Sequence, residues 1–128
     1  MRGNRLFAIA AWLMATAIGL GAFGAHALSR LLAHHDKTET WATANQYHFY
    51  HALGLFLVAY LYKKTGKQPV VFVYYMLCGG LILFSGSLYL LSLSNWSALG
   101  AITPIGGLIM IIAWAWLGRI MYLFKKIS

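Results

Sequence analysis

A chain of 128 residues that is 61% hydrophobic and 9% charged is too apolar for a water-soluble domain, which averages about 45–50% apolar and about 25% charged. Eight Tyr, seven Phe and five Trp exclude a disordered polymer, which is poor in aromatics. The net charge of +8 does not form a nucleic-acid stripe: Arg2 and Arg5, then Lys63, Lys64 and Lys67, then Arg119, Lys125 and Lys126 cluster at the ends of apolar runs, as in the cytoplasmic loops of membrane proteins.

Four apolar runs, 6–27, 44–62, 69–93 and 103–124, each approach the ~20 residues that cross a bilayer core. They predict a single all-α domain, an integral membrane four-helix bundle. Placing the basic clusters inside threads the chain in, out, in, out, in, with both termini cytoplasmic and the protein in the inner membrane. Arg2 and Arg5 ahead of an apolar run that ends in Ala25-His26-Ala27 also fit a cleavable signal peptide; the expectation is a retained first span. On its helical wheel Ala8, Ala11, Ala15, Gly19, Ala22 and His26 share a small-residue face, expected to meet a neighbouring helix.

Between the first two spans, Leu28, Leu31, Leu32 and His35 recur at helical spacing and predict a short amphipathic helix on the outer surface. Asp36 and Glu39 suggest a capping box for the second span, with Trp41 at the interface. Arg30 and Lys37 cancel these two acids, the only ones in the chain. The run 52–62 alone is too short to cross, so Asn45, Tyr47, His48 and His51 fall inside the second helix. In the third and fourth spans Gly79, Gly86, Gly106 and Gly107 offer close helix contacts, and Thr103-Pro104 reads as an N-cap followed by Pro at the first helical position. Cys78, the one cysteine, is expected to be an inert packing residue.

At ~1.5 Å per residue His51 lies ~10 Å below the outer interface and Ser85 ~12 Å below it on the third helix. His26, Asn45, Tyr47, His48, His51, Ser85, Tyr89 and Thr103 are therefore expected to form one polar pocket open toward the outer side. Ionisable groups inside a membrane are costly and mark a functional site by default; a hydrogen-bonded network that fixes helix register is the plainer account.

The strings Gly19-Leu-Gly-Ala-Phe-Gly-Ala-His26, Gln46-Tyr-His-x-x-His51, Phe84-Ser-Gly-Ser-x-Tyr89 and Ile102-Thr-Pro-Ile-Gly-Gly107 resemble the small membrane proteins called domain of unknown function 423. The resemblance covers nearly the whole chain and implies four spans in a bacterial inner membrane, with no activity attached.

Three functions follow from the residues. The first is an accessory or envelope-maintenance protein whose outer pocket binds a lipid, a quinone or a partner helix, and whose close-packing faces suit a homo-oligomer. The second is a transition-metal or haem site on His26, His48 and His51, since histidines three apart on a helix are neighbours. The third, ranked last, is a transporter or an enzyme, with Ser85 and His51 as an acyl-transfer pair. The absence of a carboxylate within any span weighs against proton coupling and triad chemistry.

Overall fold

The computed structural model describes residues 2–124; Lys125 and Lys126 lie outside the described residues. Among the described residues there are four long helices and one short one: α1 (Arg2–Ala25), α2 (Ser29–His34), α3 (Thr38–Thr65), α4 (Gln68–Ser94) and α5 (Thr103–Leu123). A 3-10 turn at Ser97–Ala101 leads into α5. By length and hydropathy α1, α4 and the segment Ser97–Leu123 can each cross a membrane. Helix α3 is long enough at 28 residues, about 42 Å. It is less apolar because Asn45, Gln46, His48 and His51 occupy its N-terminal half.

Of the four long helices α3 packs against α1 and α4 and also carries the short α2, while α5 packs on α4. Gly66, at φ 64, ends α3 and turns the chain within two residues into α4, a conformation that costs glycine little. Arg2 donates to Gln68 Oε1 at 3.0 Å, and Lys67 Nζ stands 5.1 Å from the Phe124 ring centre. One end of the bundle thus gathers Arg2, Arg5, Lys63, Lys64, Lys67 and Arg119. Asp36 and Glu39 lie at the other.

The core has two parts. Toward the basic end Leu6, Ala10, Leu55, Val58, Tyr74 and Leu77 are buried together, and the Tyr74 hydroxyl donates to the Leu6 carbonyl at 2.6 Å. Toward the other end Leu32, Trp41, Ala44 and Tyr89 form a smaller cluster.

Several local expectations change. The face α1 buries is Leu6, Ala10, Ala17 and Gly24, whereas Ala8, Ala11, Ala15, Ala22 and His26 are exposed. Every face of this helix is apolar, and the contact follows the partners on α3 rather than side-chain size. Gly24 lies against the Trp41 indole and Gly21 against the Asn45 amide. Trp41, expected at the membrane interface, points inward and is only 4% exposed. The capping box does not form: Lys37 is the N-cap residue of α3, with no side-chain cap bond. Asp36 is left-handed at φ 56, and the bonds Asp36 N–H to Ala33 O and Lys37 N–H to Leu32 O close α2 as a Schellman motif. Ile102, not Thr103, caps α5, again without a side-chain bond. Among the interhelical glycines Gly80 and Gly106 make the close approach. Around Gly79 and Gly86 an added Cβ would meet nothing within 4 Å.

Helix α4 carries a π turn at Ile82–Gly86. Residues four apart in a straight α-helix drift by about 40° per step, so Leu77 and Tyr89 would diverge by about 120°. The wider turn absorbs part of that drift. Leu77, Leu81, Ser85 and Tyr89 all stay buried.

Candidate functional site

The polar residues of α3 divide into two networks. In the first, Asn45 Nδ2 donates to the Ala17 carbonyl at 2.8 Å and to the Tyr89 hydroxyl at 3.1 Å. That hydroxyl meets His48 Nδ1 at 2.9 Å, and His48 Nε2 meets Thr16 Oγ1 at 3.2 Å. The Thr16 hydroxyl donates to the Leu13 carbonyl at 2.9 Å. A carbonyl only accepts, and this fixes every proton upstream: Thr16 accepts from His48 Nε2–H, and His48 Nδ1 accepts from Tyr89 O–H. His48 is the neutral Nε2–H tautomer, in a chain that links α3, α4 and α1.

In the second network His51 Nδ1 donates to the Tyr47 carbonyl at 2.9 Å, and Trp114 Nε1–H donates to His51 Nε2 at 3.0 Å. His51 is thereby the opposite, Nδ1–H tautomer. Residues three apart on a helix point about 60° apart, enough for His48 to face α1 and α4 while His51 faces α5. Nitrogen-15 NMR of the histidine rings is expected to find the proton on Nε2 in His48 and on Nδ1 in His51. The same tautomer at both sites would refute these assignments.

The other expected site residues are dispersed. Ser85 is buried and donates to the Ala44 carbonyl at 2.8 Å, so its hydroxyl is not paired with His51. Thr103 shares a 2.6 Å hydrogen bond with Ser87, tying α5 to α4 instead of capping its own helix. The Tyr47 ring lies at the surface against Phe84, with centres 4.7 Å apart. His26 is exposed in the turn after α1, where its carbonyl accepts from Ser29 Oγ. His26, His48 and His51 do not converge, and both ring nitrogens of His48 and of His51 are engaged by protein groups. No group of three or more His, Cys, Asp or Glu among the described residues is placed to hold a metal.

Two hollows replace the single outer pocket. A crevice of about 180 Å³ opens sideways between α1 and α4. Leu13 and Leu20 form one wall, Leu81 and Ile82 the other, and His48 and Tyr89 the floor. It lies beside the π turn, and Ile82 at its rim is 65% exposed. A second hollow of about 220 Å³, at the end that carries Asp36 and Glu39, is bordered by Gly21, Gly24, Trp41 and Asn45.

Four contributors escaped the sequence reading. Thr16 is the one hydroxyl in α1, and a lone polar group in an apolar span must find a partner, a signal that was available. The Trp41 and Trp114 N–H groups are obligatory donors when buried; Trp41 Nε1 donates to the Leu20 carbonyl at 3.0 Å. His35, read as part of an amphipathic face, donates from Nδ1 to the Ser92 carbonyl at 2.8 Å and fastens the α2–α3 turn to α4. Nothing local in the sequence announces that last bond, since the partner is a backbone atom 57 residues away.

The pattern of a family described as "Protein of unknown function (DUF423)" matches residues 20–107. The UPF0382 membrane protein YwdK of Bacillus subtilis is 52% identical over 100 residues, covering 77% of this chain and 80% of that protein. A UPF0382 membrane protein of Staphylococcus epidermidis is 46% identical over 99 residues, covering 77% and 79%. One from Staphylococcus haemolyticus is 44% identical over 98 residues, covering 76% and 78%. No solved structure matches the chain.

Proposed function

This chain belongs to the DUF423 family of membrane proteins, and we propose that it is an accessory, envelope-maintenance protein of the bacterial cytoplasmic membrane that retains a lipid or quinone by its hydrocarbon chain. Both termini and the Gly66 turn face the cytoplasm in this reading, supported by the basic residues collected at that end. The observation that carries it is the crevice between α1 and α4. Its walls are aliphatic, and the polar atoms of its floor are spent on one another: Tyr89 on His48 and Asn45, His48 on Thr16. A ligand there finds apolar contact and no free donor. The volume is below the ~300 Å³ of a pocket for a whole small molecule and suits a segment of chain.

Gly86 lines the crevice, and a Cβ added there meets nothing within 4 Å. Gly86→Leu is expected to fill the crevice while leaving the helix content unchanged. Protein extracted with its surrounding membrane and then exchanged into detergent should carry a retained lipid or quinone, seen by native mass spectrometry, that the variant lacks. Equal lipid content in the two would end this reading.

A further inference from the structure

A second hollow lies along the same seam, at the basic end. It is a groove of about 560 Å³ between the first turns of α1 and α4, bordered by Arg2, Arg5, Gln68, Phe72, Tyr75 and Trp116. Both arginines are exposed, and the bond from Arg2 to Gln68 holds one of them at the groove. The far wall is aromatic, with Phe72 and Trp116 edge to face at 5.6 Å. The two acids of the chain are at the opposite end of the bundle, so no acidic side chain nearby competes for the guanidinium groups.

The groove and the crevice share one pair of helix faces. On α1 the spacing Arg2, Arg5, Leu13, Thr16, Leu20 keeps to one stripe; on α4 Phe72, Tyr75, Ile82 and Gly86 do the same. Gly79 stands between Tyr75 and Ile82 on that stripe, exposed and with open space where a side chain would project. Arg5 and Leu13 are eight residues apart, about 12 Å along the helix. This is the spacing of a headgroup from the middle of its acyl chain.

We infer that the occupant of the α1–α4 seam is an anionic phospholipid, with its phosphate between Arg2 and Arg5 and one acyl chain running past Gly79 into the crevice. The inference rests on the crevice reading and adds the chemical class of the ligand. Paired guanidiniums present forked donors that match phosphate oxygens, and basic pockets between helices at the cytoplasmic side are suited to anionic headgroups. The aromatic wall takes the glycerol and upper-chain region, where Trp and Tyr prefer to sit.

The test uses the full chain in nanodiscs of equimolar phosphatidylglycerol and phosphatidylcholine, with retained lipids identified by native mass spectrometry after detergent exchange. Wild type is expected to retain phosphatidylglycerol over phosphatidylcholine by about thirtyfold, the size that two basic residues at a membrane surface supply. Arg2→Gln with Arg5→Gln should bring the ratio to parity while a lipid is still retained. Lys64→Gln with Lys67→Gln, at the same end but outside the groove, should leave it unchanged. Millimolar inorganic phosphate should not displace the lipid; displacement would assign the groove to a soluble anion. A wild-type ratio near one, or equal losses in the arginine and lysine variants, would overturn the inference and leave the crevice reading standing. Undiminished retention in Gly86→Leu would instead defeat the crevice reading.

Discussion

Replacing Gly106 by alanine is expected to cost the bundle about 3 kcal/mol, the upper part of the range for overpacking. The new Cβ would lie 2.5 Å from the Phe84 nitrogen and 2.7 Å from the Gly80 carbonyl oxygen. Both are backbone atoms of α4, one inside the π turn, and neither can rotate away as a side chain would. Helix α5 would have to retreat from α4, and the Ser87–Thr103 bond would open with it. Gly79→Ala and Gly107→Ala are the controls. The first adds a Cβ in open space, and the second meets only the Phe84 ring, at 3.5 Å. Both should be neutral or stabilising by up to about 1 kcal/mol, through helix propensity alone. Unfolding titrations in mixed micelles measure all three, and a Gly106→Ala curve that overlays Gly79→Ala would refute the close crossing.

The sequence makes the bundle readable because the information lies in long averages. Twenty apolar residues can hardly do anything but cross or be buried, and basic clusters recur at alternate ends. It does not make the contact faces readable. A helix such as α1 is apolar all round, so its wheel has no polar side to subtract. Ala8, Ala11 and Ala15 look like a packing face by size, while the face in use mixes Leu6, Ala10, Ala17 and Gly24. The partner decides: Asn45 and Trp41 on α3 need carbonyl acceptors and find them at Ala17 and Leu20, and Gly21 and Gly24 let them approach. The candidate site was half legible for the same reason. The sequence sets His48, Tyr89 and Asn45 at one depth, and they do meet. Depth and the helical wheel set His51 with them as well, three positions along from His48. That spacing makes two side chains neighbours on their own helix, yet the 60° between them sends them to different partner helices. Trp114, which settles the matter, is on a helix where its N–H could have found any acceptor.

Trp41→Ala is expected to be the most damaging single truncation, at about 4 kcal/mol by the scale for buried aromatic residues. The indole is 4% exposed, lies against Gly24, meets the Tyr89 ring edge to face at 4.7 Å and donates to the Leu20 carbonyl. In a membrane the cost arises from lost packing more than from water exclusion. Trp41→Phe keeps most of that packing and gives up the hydrogen bond, so it should cost about 1 kcal/mol. The contact can also be tested from its other side. Gly24→Ala drives a methyl into the indole, and shrinking the indole should relieve it. The double variant Gly24→Ala with Trp41→Phe is therefore expected to be more stable than the sum of its two singles by about 1–2 kcal/mol, a coupling typical of residues in direct contact. Additive effects would mean that Trp41 does not press on α1. Tyr89 would then lean on an indole that α1 does not hold in place, and Asn45 and Thr16 would carry the hydrogen-bond chain through His48.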